Sequence, residues 1–376
     1  MTEQLAEEIF RTASESIDVL SPPVDGAIGQ AHTMRRRQRR VAVTSTAAAV
    51  VVIAGVTWAT TRPADPKPPE PSPANVVRST NPAAIAWYAG GKLHLANVAI
   101  ELPPLTDLVE VGGGAVYGDR EGVVAFVTAA GTRTVIGEKV AAAPLVGSDQ
   151  YGWAAWVDPR GETPALVVYD VVGMKVLDRL ELPSPGAGWQ DLDVGSHPVA
   201  IDQDHIFYVA QDGDFSWAPL DDDPELLDRQ GLLDSASTTR VYEVPRGIDM
   251  VQGFFSVNFV RRGEGATLSA GGNYVLTRVP GERTPGAPFR PLLYDDRSGD
   301  RLVTGVGADE LVLDASFGEE HDVVYVVGRA ADFGGGADLD GSNDPLLTLR
   351  SCQLGTADCH DVALLPRAGE RPLLAH

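Results

Sequence analysis

Val167-Val168-Tyr169-Asp170, followed by Gly173 and then Val176-Leu177, has a second copy in Leu292-Leu293-Tyr294-Asp295, followed by Gly299 and then Leu302-Val303. In each copy an apolar run ends in Tyr-Asp, a glycine permits the turn, and a second apolar run returns, as two antiparallel strands require. Tyr169 and Tyr294 stand 125 residues apart. That is three intervals of about 42, the span of one four-stranded propeller blade. Arg350 takes the comparable place 56 residues after Tyr294. The excess over one interval matches a loop of about 15 residues between Arg329 and Pro345.

Working outward, the same grammar recurs. Residues 85–88 and 92–95 flank Gly90-Gly91, and residues 122–127 and 132–136 flank Ala130-Gly131. Residues 205–210 turn at Asp212-Gly213. Residues 153–157 pair with 165–170, 274–278 with 291–295, and 322–328 with 346–352. The chain has 376 residues, 44% hydrophobic and 22% charged, with 40 Gly and 27 Pro scattered through it, a composition suited to many short strands and tight turns. From Pro82 to Pro366 there is room for six to seven blades at a period of about 42. Two packed β-sandwich domains, which need no such register, are the competing architecture.

On the Tyr-Asp strand end, the glycine turn and the apolar return strand, the chain resembles the WD40-like and TolB-like propellers of bacterial envelopes over roughly three quarters of its length. The resemblance implies a mainly β fold, a six- to seven-bladed β-propeller, that meets other molecules through its loops and channel mouth. No Trp-Asp dipeptide or Gly-His pair is present, a departure from the strict WD40 pattern.

The N-terminal fifth reads differently. Residues 41–59 are free of charge, close to the ~20 apolar residues that a membrane-crossing helix needs. Arg35, Arg36, Arg37, Arg39 and Arg40 stand just before them. The positive-inside rule then places the N-terminus in the cytoplasm and the rest outside the plasma membrane. A cleaved signal peptide competes, but its charged leader is longer than such peptides use. The expected division is a cytoplasmic segment at 1–40, one transmembrane helix at 41–60, a Pro-rich linker at 61–75 and the outer β domain at 76–376. Within the first segment, Leu5, Ile9, Phe10, Ile17 and Leu20 share one face of a short amphipathic helix over residues 2–20, too small to bury a core and suited to a cytoplasmic partner or to disorder. The layout resembles anti-sigma-type membrane regulators; the zinc ligands of some such stubs are missing, since His32 has no cysteine near it.

Net charge is -22. Residues 1–60 carry six side chains of each sign, which leaves 24 basic against 46 acidic beyond them. Such a surface repels phosphate backbones, so nucleic acid is not an expected partner of the outer domain, whereas a basic protein, a cationic ligand or a metal ion is. Asp202, Asp204, Asp212, Asp214, Asp221, Asp222 and Asp223 crowd about twenty residues and are the candidate contacts, although aspartates in turns also bond their own backbone. Asp338, Asp340 and Asp344 offer oxygens at calcium-loop spacing; the glycine stands fourth and Leu349 twelfth, so the EF-hand pattern is incomplete and a solvated loop competes. Apart from calcium there, no cofactor is expected.

Cys352 and Cys359 bracket a glycine-containing turn and predict a cross-strand disulfide in an oxidising compartment. No catalytic motif is found: no His-Glu-x-x-His, Gly-x-Ser-x-Gly or phosphate-binding loop. The expected activity is binding or sensing. A surface-tethered hydrolase or lyase with carboxylates at the channel is the alternative, and a transmembrane regulator acting through residues 2–20 is a third. Convergent carboxylates or histidines with shifted acidity at the channel mouth favour the enzyme over the binding module.

Overall fold

A computed structural model describes residues 72–73, 76–182, 195–220, 223–237, 239–253, 257–281, 287–318, 321–333, 346–356, 358–366 and 370–376. The amphipathic segment at 2–20, the span at 41–60 and the calcium-type loop with Asp338, Asp340 and Asp344 lie outside the described residues. Among the described residues no helix is long and apolar enough to cross a membrane.

Among the described residues thirty strands build seven sheets. β1 (Ser72–Pro73) and β2 (Val76–Arg78) lead into β3 (Trp87–Ala89), β4 (Lys92–Leu95) and β5 (Val98–Glu101) of blade 1. Blade 2 holds β6 (Leu105–Val111), β7 (Gly114–Asp119), β8 (Val123–Thr128) and β9 (Thr132–Glu138). Blade 3 holds β10 (Val146–Ser148), β11 (Trp153–Asp158), β12 (Ala165–Asp170) and β13 (Lys175–Glu181). Blade 4 holds β14 (His197–Asp202), β15 (His205–Ala210), β16 (Gly213–Trp217) and β17 (Glu225–Leu226). Blade 5 holds β18 (Leu232–Ala236), β19 (Thr239–Val244), β20 (Gly247–Gln252) and β21 (Val257–Arg261). Blade 6 holds β22 (Glu264–Leu268), β23 (Tyr274–Arg278), β24 (Pro291–Asp295) and β25 (Arg301–Leu302). Blade 7 holds β26 (Glu310–Phe317), β27 (Asp322–Arg329), β28 (Thr348–Gln353) and β29 (Cys359–Leu364). β30 (Leu373–Leu374) returns to blade 1 and pairs with β3, Trp87 opposite Leu374 and Tyr88 opposite Leu373. The expected six to seven blades are seven.

Period-two patterning explains why blades stack. In β7 and β8, Ala115, Tyr117, Ala125 and Val127 pack towards blade 1, while Val116, Val124 and Phe126 pack towards blade 3. Each middle strand is therefore buried on both faces and reads as a continuous apolar run. Among the described residues the buried apolar side chains form seven clusters, each shared by two neighbouring blades, with the last between blades 7 and 1.

The end of the proline-rich stretch does not stay clear of the fold. β1 pairs with β9 and β2 with β5, so residues 72–73 lie along the outer edge of blade 2 and residues 76–78 along that of blade 1. Pro73 is tolerated there because an edge strand leaves one side of its backbone unpaired. The disulfide Cys352–Cys359 joins β28 to β29 at directly opposed positions, with a Cα–Cα distance of 4.1 Å.

Candidate functional site

The leading strand of each of blades 2 to 7 lies innermost, and β30 takes that place in blade 1. Five of these strands slip by one residue against their partners: at Thr106, Val199, Leu233, Gly265 and Leu313. A bulge re-aims the side chain that follows it. In three blades that side chain is an aspartate whose carboxylate accepts a backbone N–H of the next innermost segment. Asp107 takes Leu145 N at 3.3 Å, Asp234 takes Leu268 N at 2.7 Å, and Asp314 takes Leu374 N at 2.8 Å. The spacing apolar-x-Asp in Leu105-Thr106-Asp107, Leu232-Leu233-Asp234 and Val312-Leu313-Asp314 is the sequence signal for these joints, and motif reading passed over it.

Near the inner strands, β18, β22, β23 and β26 line an open cavity of about 390 Å³. Leu233, Ala266, Leu276, Phe289 and Ala315 are its apolar lining. Glu243, Glu264, Thr277, Arg278, Asp314 and His376 supply polar groups. Phe289 closes one side by exchanging backbone hydrogen bonds with Val312, at 2.8 and 2.9 Å, and the Arg278 guanidinium sits over its ring at 4.6 Å.

Two titratable groups, Asp314 and His376, line the cavity side by side, and a third, Asp234, acts on His376 through its charge. Asp314 Oδ1 lies 3.2 Å from His376 Nε2 and also accepts Ala315 N at 3.0 Å. Burial works against ionisation of Asp314, but the His376 charge and hydrogen bond, the Leu374 amide and Arg371 together hold its carboxyl below the usual range. The His376 side chain is 43% exposed. Burial pulls its proton affinity down, but Asp314, and behind it Asp234, raise it above the ordinary imidazole value. Burial pushes Asp234 up to about 7, against the pull of the Leu268 and Ser235 amides and of His376.

The expected acidic contacts that lie among the described residues fall within blade 4, and the fold disperses them. Asp202 and Asp204 flank the β14–β15 turn, whereas Asp212 and Asp214 flank the β15–β16 turn at the other end of β15. Asp202 accepts Ser235 Oγ at 3.1 Å and Ser237 N at 2.9 Å from blade 5, and burial raises its proton affinity. Asp214 is 3% exposed and accepts Leu232 N at 2.6 Å, joining blade 4 to blade 5. Asp204 is exposed and pairs with His205 Nδ1 at 2.8 Å. Asp212 and Asp223 are exposed, and Asp221 and Asp222 lie outside the described residues. Among the described residues no group of three or more His, Cys, Asp or Glu side chains is arranged to hold a metal ion.

No protein-family model matches this chain, and no curated protein matches it. Several solved structures do. TolB from Acinetobacter baumannii is 14% identical, with a TM-score of 0.42, over 77% of this chain and 66% of its own. The WD40 β-propeller domain of Doa1 is 12% identical, with a TM-score of 0.44, over 75% of this chain and 88% of its own. A functionally unknown protein from Desulfotomaculum acetoxidans DSM 771 is 8% identical, with a TM-score of 0.44, over 78% and 99%. The chain is a seven-bladed β-propeller. That assignment stands on its own seven sheets and their closure by β30.

Proposed function

We propose that this propeller is a membrane-anchored extracytoplasmic binding or sensing module, non-catalytic, tethered through residues 41–60 with its N-terminus inside. The observation that carries the binding reading is the cavity at the inner strands: about 390 Å³, lined by both apolar and charged side chains. Ligand sites are concave, mostly apolar and furnished with a few convergent polar groups, and their volumes begin near ~300 Å³. The acidic excess beyond residue 60 favours a basic partner or a cationic ligand. The exposed Asp204, Asp212 and Asp223 are then the outlying contacts.

Ala266→Phe fills the cavity from β22 without altering charge. Native mass spectrometry of the purified full chain is expected to find a bound species in the wild type that this variant lacks and that salt weakens. Equal occupancy in both proteins refutes the cavity as the site. External protease on spheroplasts is expected to remove the propeller and leave the N-terminal segment; a protected propeller refutes the topology.

The hydrolase or lyase reading has one specific observation in its favour, the pairing of Asp314 with His376 under the charge of Asp234, all three with displaced proton affinities. Against it, Asp234 and Asp314 already accept backbone amides, which gives them a structural task. Turnover of ester, glycan or peptide substrates that disappears in Asp234→Asn with the fold intact establishes the enzyme in place of the binding module.

A further inference from the structure

We propose that the seam closing the propeller ring is a proton-controlled clasp, in which His376 paired with Asp314 holds β30 in place beside the cavity. β30 is two residues long and its ladder with β3 involves two residue pairs, too little to secure a ring by itself. The segment around it is held by single bonds to three blades. Ala375 N donates to Ala86 O at 2.9 Å, His376 N to Leu108 O at 3.1 Å, and Ser316 Oγ to Ala375 O at 2.6 Å. Arg371 Nη2 donates to Leu313 O at 2.9 Å, and Leu374 N to Asp314 Oδ2 at 2.8 Å. Asp314 stands apart from the other acceptors. It is the one ionisable acceptor in this set, it is 9% exposed, and its second oxygen faces His376 Nε2 at 3.2 Å.

A buried carboxylate needs a counter-charge, and losing it leaves the remaining charge uncompensated. When the imidazole is protonated, the clasp is an ion pair with a donor. When it is neutral, the pair falls to a hydrogen bond at best. The other charged groups around it act as follows. Arg371, on the closing segment itself, stays cationic and lowers the imidazole's proton affinity; Asp234 from β18 raises it. Asp202 from β14 bears on Asp234 in turn. Glu243 from β19, Glu264 from β22 and Arg278 from β23 share the cavity wall with His376. His376 has a raised folded-state proton affinity, so its contribution is full below the ordinary value of 6.5 and is lost as pH rises through the higher folded value. The seam is therefore tight from mildly acidic to neutral conditions, where Asp314 is ionised and His376 protonated, and loosens in alkali. Because Asp314, Ala315 and His376 also line the cavity, loosening the seam reshapes that wall, whatever the cavity binds.

Hydrogen exchange read by mass spectrometry on the full chain in detergent tests the clasp, from about pH 6 to about pH 9 and corrected for the intrinsic pH dependence of exchange. In the wild type, the segments containing residues 85–89 and 371–376 are expected to lose protection severalfold over that range while the β15–β16 hairpin does not. His376→Arg, a permanent cation, is expected to keep the seam protected throughout, and His376→Gln to start at the weakened level and stay there. Unchanged seam protection in the wild type overturns the proposal, as does an equal loss in the Arg variant. If either variant fails to fold, NMR titration of the wild-type His376 ring decides: a midpoint at or below 6.5 overturns the clasp.

Discussion

The Lys139 ammonium is enclosed, with none of its side chain exposed. It donates to the carbonyls of Val140, Ala141 and Ala143 at 3.1, 3.0 and 2.6 Å and pairs with Asp107 at 2.9 Å. The site thus ties blade 2 to the start of blade 3. Lys139→Met keeps the aliphatic stem but strands Asp107 and three carbonyls, so a loss of about 3 kcal/mol is expected in denaturant unfolding. Nothing in Glu138-Lys139-Val140 announces this, since a lysine after a glutamate at a strand end reads as solvated. The cysteines were legible because their separation and the intervening glycine turn fix the geometry locally. Opening that eight-residue loop with a Cys352→Ser, Cys359→Ser double variant is expected to cost about 2.5 kcal/mol on the chain-entropy account, read as a lowered unfolding midpoint. Asp234 contributes at the same scale with a definite sign. Its folded proton affinity, near 7, lies above the ordinary 3.8, so its contribution is full below 3.8 and is lost as pH climbs to about 7. Asp234→Asn is expected to flatten the stability profile across that window, and an unchanged slope refutes the assignment.

At the scale of elements, the third strand of a blade was readable and the innermost strand was not. The two Tyr-Asp segments are β12 and β24, third strands of blades 3 and 6, and Arg350 lies in β28, the third strand of blade 7. Third strands kept a common register because each is buried on both faces between fixed neighbours. Innermost strands carry bulges in five blades, which break the period-two alternation that sequence reading depends on. Joints between blades explain the acidic composition in part: carboxylates accept backbone amides from blade 2 to 3, 5 to 6 and 7 to 1 on innermost strands, and from blade 4 to 5 on the third strand β16. Asp214 belongs to these joints, and its removal separates structural from recognition roles. Asp214→Ala leaves the buried Leu232 amide without an acceptor and is expected to cost about 1 to 3 kcal/mol. Asp204→Asn, at an exposed turn, is expected to leave the unfolding midpoint in place. Equal, negligible effects from both overturn the division between joint and surface carboxylates.

For the whole molecule, a ring differs from an open row of blades in having no end from which to fray. Here that property depends on a closing strand of two residues, a length that no periodicity argument detects, which is why the blades were countable from the sequence only to within one. Leu374 is 1% exposed and sits in the cluster shared by blades 7 and 1, while Ala375 beside it reaches the cluster shared by blades 1 and 2. Two of the seven inter-blade clusters therefore meet at this segment. In a linear array each repeat is stabilised only by its neighbours, and a terminal repeat stripped of one interface opens first. Truncation after Pro372 exposes β3 as the inner edge of blade 1 and removes the Leu374 side chain from its cluster. The expected result is a propeller that behaves as an open row: a lower and broader thermal transition, with hydrogen exchange fastest in blades 1 and 7 and near wild type in blade 4. Leu293→Ala provides the control. Leu293 is equally buried, at 0% exposure between blades 6 and 7, and its loss costs about 2 to 5 kcal/mol while leaving the ring closed. That variant is expected to shift the transition downward without broadening it. A truncated chain that melts as sharply as the Leu293→Ala protein, with no excess exchange at blades 1 and 7, shows that closure by β30 does not govern the cooperativity of the propeller.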